Sequence, residues 1–153
     1  MNCPKHNRTP YNEFLTPQNE DIISVANYIA SDNFNQYLEY VNENIEYIRD
    51  KISCGYSDCW SYPSETLQNG YGDCEDMSFL LASLLMAKFK KNSIRVVIGW
   101  HNRNGHAWVE IVTKDKNELV LESTSGEWFD KVTAYRNGYV SDVYVYLNGC
   151  EKA

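Results

Sequence analysis

The sequence predicts an α+β domain in which helices come first and an antiparallel sheet follows. Up to about residue 89, apolar residues recur at every third or fourth position, a spacing typical of helices. From Ile94 onward they fall in short Val- and Ile-rich runs separated by turn residues, which is typical of strands. Hydrophobic residues make up 43% of the 153 residues, so the chain can bury one core. We therefore expect a single domain over residues 1–153.

Two helices are predicted in the N-terminal third. Thr16 and Pro17 have the form of a helix start, with a hydroxyl cap followed by proline in the first turn. A second helix is predicted from about Asn35 to Ile52, on an apolar stripe that steps by three or four residues. The stripe consists of Leu38, Val41, Ile45, Ile48 and Ile52. Such a stripe predicts packing in the core, and its apolar side chains have no expected catalytic role.

Residues 54–72 are rich in aromatic and turn-forming side chains and predict an ordered loop. Within it, Pro63–Gln68 predicts a short helix that ends near Gly70, because glycine readily takes the left-handed conformation found at helix ends. The glycine-containing turn at 70–73 leads into the most apolar helix, which we expect from Cys74 to about Phe89. Strands are then predicted at Ile94–Trp100, His106–Val112, Leu119–Thr124 and Val143–Leu147.

The charge pattern bears on partners and location. The net charge is −7, whereas nucleic acids and anionic membranes are bound by clustered Lys and Arg. No apolar run approaches the roughly 20 residues that a membrane-spanning helix needs, and no hydrophobic signal region follows Met1. We therefore expect a cytoplasmic protein that binds neither nucleic acid nor membrane. The sequence leaves the oligomeric state open.

The chain has five cysteines, an odd number that leaves at least one thiol unpaired. In a reducing compartment we expect all of them to be free. An alternative is a structural zinc site, since Cys3 and His6 together with Cys54 and Cys59 supply four soft ligands. Their spacings are loose, so we interpret these thiols as ordinary cysteines or as an opportunistic bridge.

Cys74 is the candidate nucleophile. Asp73 is a favourable helix cap and Asp76 completes a capping box, which places Cys74 in the first helical turn. There the helix dipole and the free backbone N–H groups favour a thiolate and can also hold the oxyanion of a tetrahedral intermediate. The carboxylates of Glu75 and Asp76 oppose the thiolate, so a histidine partner is required. The alternative is a cysteine that only fills the start of a core helix.

His106 is the candidate base and Glu122 its candidate orienter. They lie on consecutive predicted strands, and an odd connecting loop puts positions of equal parity on one face of the sheet. The spacing predicts a diagonal offset, which the longer side chain of glutamate can cover. His101 is the alternative base. Glu110 and Asp130 are the next carboxylates to examine if Glu122 is a bystander.

Three blocks of the sequence resemble the transglutaminase-like superfamily, whose catalytic core is papain-like. They are WSYPSETLQNGYGDCED at residues 60–76, GHAWVE at 105–110 and LVLEST at 119–124. By this resemblance Cys74 is the nucleophile, His106 the base and Glu122 the third member, where the family more often has aspartate. Trp60 and Gln68 are implied as candidates for stabilising the oxyanion, through an indole N–H and a side-chain amide.

The resemblance implies a compact bacterial, archaeal or viral type of enzyme. It attacks an amide bond of a peptide or protein, forms a thioester and passes the acyl group to water, as a peptidase or amidase does. One alternative is a protein-glutamine transglutaminase, which passes the acyl group to an amine, and another is a non-catalytic binding module that keeps the fold. No cofactor is implied. Some relatives bind calcium near the active site, but capping and solubility explain Asp73, Glu75 and Asp76 as well, so no metal is predicted.

Overall fold

The computed structural model describes residues 2–49 and 59–153. Its helices are α1 (Glu20–Ile29), α2 (Phe34–Asn44), α3 (Pro63–Asn69), α4 (Cys74–Lys88) and α5 (Lys131–Arg136), with 3-10 turns at Tyr11–Phe14 and Lys91–Ser93. Its short strands are β1 (Lys5–His6), β2 (Thr9–Pro10), β3 (Glu46–Tyr47) and β4 (Tyr71–Gly72). The longer strands are β5 (Ile94–His101), β6 (Asn104–Val112), β7 (Glu118–Glu122), β8 (Glu127–Asp130), β9 (Tyr139–Tyr146) and β10 (Gly149–Lys152).

The main sheet has six strands in the order β10-β9-β5-β6-β7-β8, and every neighbouring pair is antiparallel. Helices precede this sheet in the chain, so the predicted α+β class is confirmed. The predicted ends of α3, α4, β5 and β7 agree with the structure to within two residues.

The sheet has two buried faces with different roles. Val96, Val109 and Leu121 belong to the main core, which they share with side chains of α1, α2 and α4. On the opposite face, Trp108 and Tyr139 belong to a second cluster, completed by Val97, Val120 and Ala134 of α5. Because successive side chains of a strand alternate between faces, His106 lies on the face of Trp108.

The predicted start of α1 is wrong by several residues. Asn19 is the N-cap, and its side chain accepts hydrogen bonds from the backbone N–H groups of Asp21 and Ile22. Thr16 lies upstream of the helix, where its backbone N–H donates to Ser83 Oγ in α4 at 3.0 Å. The segment that contains Pro17 is therefore held against α4 and does not form the first turn of α1.

The predicted C-terminal extension of α2 is also wrong. The helix ends at Asn44, and Ile45 has an extended backbone. The backbone N–H groups of Glu46 and Ile48 donate to the carbonyls of Gly70 and Gly72 at 2.9 and 2.8 Å, which pairs β3 with β4. These long-range bonds replace the helical ones that the apolar stripe predicts. The last predicted residues, from 50 to 52, lie outside the described part of the chain.

The region predicted as a polar loop before the last strand contains β8, α5 and the first residues of β9. Asp130 starts α5, because its carboxylate accepts the backbone N–H groups of Val132 and Thr133. β10 follows and forms one edge of the sheet. Of these elements, α5 packs on the face on which His106 lies, through Ala134.

The expectation that all the cysteines are free is wrong. Cys3 and Cys150 form a disulfide between residues 147 positions apart, and Cys59 is also disulfide-bonded. Neither Cys3 nor Cys59 is therefore available as a zinc ligand, and Cys54 lies outside the described residues. Among the described cysteines Cys74 is the free one. No helix within residues 2–49 and 59–153 is long and apolar enough to cross a bilayer.

Candidate active site

The start of α4 places Cys74 at the first position of a long buried helix. Asp73 caps the helix, and its carboxylate accepts the backbone N–H of Asp76, whose own carboxylate accepts the N–H of Asp73. A side chain at Gly72 is excluded, because its Cβ would lie 2.7 Å from Asp76 Cβ. Asp76 also accepts the backbone N–H of Ser61 at 2.9 Å, which holds the segment before α3 against the start of α4.

The surroundings of Cys74 favour the protonated thiol over the thiolate. Burial raises the pKa of the thiol, and the carboxylates of Glu75 and Asp73 raise it further. The thiol donates a hydrogen bond to Glu75 Oε2 at 3.1 Å. A backbone hydrogen bond from Ala107 lowers the pKa but is the smallest of these effects. The helix start therefore does not make Cys74 a thiolate in the resting protein, and a base is needed.

His106 and Glu122 form a close pair. His106 Nε2 lies 2.7 Å from Glu122 Oε1, and both side chains are largely buried. In the register of β6 and β7, Val109 pairs with Leu121, so Glu122 lies opposite Trp108 and two residues away from His106 along β6. The shared face and the diagonal offset both agree with the sequence prediction. Because Nε2 pairs with the carboxylate of Glu122, Nδ1 is the imidazole nitrogen that this pair leaves unused.

Cys74 and His106 line one cleft of about 310 Å³. The cleft lies where β5 changes register against β9 between Ile98 and Gly99. Its wall includes three aromatic side chains, Tyr11, Trp60 and Trp100. The thiol of Cys74 and the imidazole of His106 therefore lie in one cleft.

The two candidates for the oxyanion role differ in position. Trp60 lines the cleft, and its ring contacts Tyr11, with the ring centroids 4.5 Å apart, and Phe79 of α4, with the centroids 5.4 Å apart. Gln68 is exposed on α3 and is not among the residues that line the cleft. The structure therefore brings Trp60, but not Gln68, to the same cleft as Cys74.

The alternative carboxylates have other partners. Glu110 is only 3% exposed and pairs with Arg95 at 2.6 Å, and it also accepts hydrogen bonds from Trp108 Nε1 and the Tyr135 hydroxyl. Asp130 caps α5. Both carboxylates thus make structural contacts away from His106, whereas Glu122 lies next to the imidazole.

The alternative base, His101, ends β5. Its ring stacks on Tyr139, with the centroids 4.1 Å apart, and lies 5.8 Å from the ring of His106. His101 does not line the cleft that contains Cys74. The position of His106 beside both the thiol's cleft and a carboxylate makes it the better-placed base.

Comparison with known proteins decides the family. The profile of the bacterial transglutaminase-like cysteine proteinases (BTLCP) matches residues 10–140. The chain belongs to this family. It is therefore a transglutaminase-like cysteine peptidase, and the transglutaminase alternative has no stronger support. No curated protein matches its sequence significantly.

Solved structures confirm the fold of the peptidase. Calcium-bound LapG of Legionella pneumophila has a TM-score of 0.67 at 18% identity, over 87% of this chain and 75% of LapG. A second LapG structure has a TM-score of 0.67 at 17% identity, over 94% and 86% of the two chains. An EGTA-treated form has a TM-score of 0.66 at 15% identity, over 94% and 83%.

The calcium of the LapG structure raises the question of a metal near Cys74 in this peptidase. Oxygen donors are present in Asp73, Glu75 and Asp76, the type that calcium prefers. However, Asp73 and Asp76 already accept each other's backbone N–H groups, and Glu75 accepts the thiol. Within the described residues no group of three acidic, His or Cys side chains is arranged to hold an ion. As they are arranged here, Asp73, Glu75 and Asp76 therefore do not form a calcium site.

Two residues that contact Glu122 were not predicted from the sequence. The Tyr139 hydroxyl donates to Glu122 Oε1 at 2.6 Å, and Thr124 Oγ1 donates to Glu122 Oε2 at 3.2 Å. Thr124 is two residues from Glu122, so alternation along the strand could have suggested it. Tyr139 comes from β9, and nothing local in the sequence indicates its contact.

Proposed function

We propose that the peptidase cleaves amide bonds of peptide or protein substrates with Cys74 as nucleophile, His106 as general base and acid, and Glu122 as orienter. The observation that carries this proposal is the 2.7 Å pair between His106 and Glu122 beside the cleft that also contains Cys74. A base held by a carboxylate next to a nucleophile is the arrangement that covalent acyl transfer requires.

In the proposed reaction, the thiol of Cys74 turns from Glu75 toward His106 and gives its proton to Nδ1 as the sulfur bonds to the amide carbon. Glu122 accepts the Nε2–H hydrogen bond and stabilises the imidazolium. The tetrahedral intermediate collapses, the C–N bond breaks, and His106 returns the proton to the departing amine. Water then attacks the thioester as His106 removes its proton. The C–S bond breaks, His106 returns that proton to the Cys74 sulfur, and the carboxylic acid product leaves.

The raised pKa of Cys74 affects how this cycle starts. Because burial and the neighbouring carboxylates keep the thiol protonated, its deprotonation is coupled to substrate attack and is not completed in the free enzyme. The proton acceptor is then indispensable, and a change at His106 should be about as damaging as a change at Cys74.

The experiment follows acyl-enzyme formation by intact-mass spectrometry with a panel of peptide amides and esters, in parallel with calcium and with EGTA. We expect a covalent adduct on the parent protein, none on Cys74→Ala or His106→Ala, and at least about tenfold slower formation on Glu122→Gln. His101→Ala and Glu127→Gln are the matched controls and should keep most of the activity. Normal turnover by folded His106→Ala would contradict the proposal.

The fate of the thioester separates hydrolysis from transfer. The same adduct is mixed with buffer alone and with a fluorescent primary alkylamine. We expect release of the acid in both, because the proposal has water as the acceptor. Dominant incorporation of the amine would instead assign the transglutaminase reaction.

The disulfides bear on the cellular compartment in which the peptidase folds. The cytoplasmic location expected from the sequence stays a prediction, and the disulfides of Cys3 with Cys150 and of Cys59 favour an oxidising compartment instead, since the cytosol keeps such thiols reduced. Alkylation in intact cells before lysis should label Cys74 and spare Cys3, Cys59 and Cys150. Labelling of these three as well would favour the cytoplasm.

A further inference from the structure

Tyr139 lies at the first position of β9 and is 7% exposed. Its hydroxyl donates to Glu122 Oε1 at 2.6 Å, and the same oxygen lies 2.7 Å from His106 Nε2. One carboxylate oxygen therefore receives both the imidazole and the phenol. The other oxygen receives the weaker hydrogen bond of Thr124 at 3.2 Å.

The phenol reaches this oxygen from a distant strand. In the sheet, β5 and β6 lie between β9 and β7, so the side chain of Tyr139 crosses the face that carries His106. Its ring is held on two sides. It meets Trp108 edge-on at a centroid distance of 5.0 Å and stacks on His101 at 4.1 Å. A ring held in this way presents its hydroxyl in one position.

A hydrogen-bond donor in a fixed position matters more when the orienting carboxylate is a glutamate than when it is an aspartate. Glutamate has one more rotatable bond, so its carboxylate can take more positions at the same distance from the backbone. The hydrogen bond from Tyr139 restricts Oε1 to the place where it meets His106. The phenol remains protonated near neutral pH, because burial and then its hydrogen bond to Glu122 raise the pKa of Tyr139.

We propose that Tyr139 is a positioning residue of this peptidase, whose hydroxyl fixes Glu122 Oε1 against His106 and so allows a glutamate to serve as the orienter. The proposal rests on the proposed function of Cys74, His106 and Glu122.

The test compares Tyr139→Phe with two matched controls that also lose one phenolic hydrogen bond. Tyr135→Phe loses the bond to the structural carboxylate Glu110, and Tyr37→Phe loses a 2.8 Å bond to the carbonyl of Ser31. We expect kcat to fall about tenfold in Tyr139→Phe with KM nearly unchanged. Both controls should keep the parent kcat, whatever stability they lose.

A second readout does not depend on a substrate. The NMR signal of the His106 Nε2–H proton should broaden or move in Tyr139→Phe, because Glu122 Oε1 is no longer held in one position against the imidazole. The same signal should be unchanged in Tyr135→Phe and Tyr37→Phe.

The outcomes separate the two proposals. If Glu122→Gln has no effect on activity, the proposed function fails. If Glu122→Gln impairs the enzyme while Tyr139→Phe keeps both the parent kcat and the parent signal of the His106 Nε2–H proton, the positioning role is overturned alone. If Tyr139→Phe folds poorly, Thr124→Val removes the weaker donor on Oε2. It should lower kcat about twofold to threefold, and an unchanged kcat there would count against the positioning of Glu122 by hydroxyls.

Discussion

Replacing the Cys3–Cys150 disulfide should destabilise the protein strongly. The bond closes a loop of 147 residues, and the chain-entropy relation for a loop of that length gives about 5 kcal/mol at 25 °C. Measured losses on removing native disulfides are typically about 2–5 kcal/mol. For a domain of about 150 residues, about 3 kcal/mol lowers Tm by roughly 10 °C.

The assay is thermal unfolding of Cys3→Ser/Cys150→Ser, followed by circular dichroism and calorimetry without reductant. Cys74→Ser is the matched control, since it replaces a free cysteine and should change Tm by less than about 3 °C. The double variant should also lose part of the cleft wall, because Cys3 precedes the segment that carries Tyr11. A double variant that melts within about 2 °C of the parent would refute the loop-closure reasoning.

Three further substitutions test the surroundings of the site. Gly99→Ala would place a Cβ 2.1 Å from the carbonyl oxygen of Val140, so it should lose about 2 kcal/mol or more by urea denaturation. Gly105→Ala, whose Cβ would make an ordinary 3.9 Å contact with the Trp100 ring, should lose less than about 1 kcal/mol. Glu75→Gln removes a charge that raises the pKa of Cys74, so iodoacetamide should label the thiol about tenfold faster at pH 8, and an unchanged rate would contradict the electrostatic argument. Glu110→Gln leaves Arg95 without its buried partner, so it should lower stability by about 3 kcal/mol or more while the folded fraction keeps its activity.

The parts of the site that could be predicted from the sequence depend on short-range rules. The capping box is local, so Asp73 and Asp76 were enough to place Cys74 at the tip of a helix. The pairing of His106 with Glu122 follows from alternation along two consecutive strands of one hairpin. Neither inference needs knowledge of distant parts of the chain.

The parts that could not be predicted depend on contacts between distant residues. The helix stripe before Ile52 continues in the sequence, but pairing with residues 70–72 ends α2 at Asn44. The partners of the cysteines cannot be read from their spacing. Tyr139 reaches Glu122 only because β9 returns to pair with β5, and no local pattern encodes that return.

The return of β9 to the centre of the sheet also affects when the enzyme becomes active during folding. The hairpin of β5 and β6 is local, whereas β9 must find β5 across about 45 residues, and such long-range pairings form slowly. Until they form, Glu122 lacks the phenol of Tyr139 and the second face of the sheet is uncovered. A chain in which β5 has paired only with β6 is thus expected to lack full activity until β9 has taken its place.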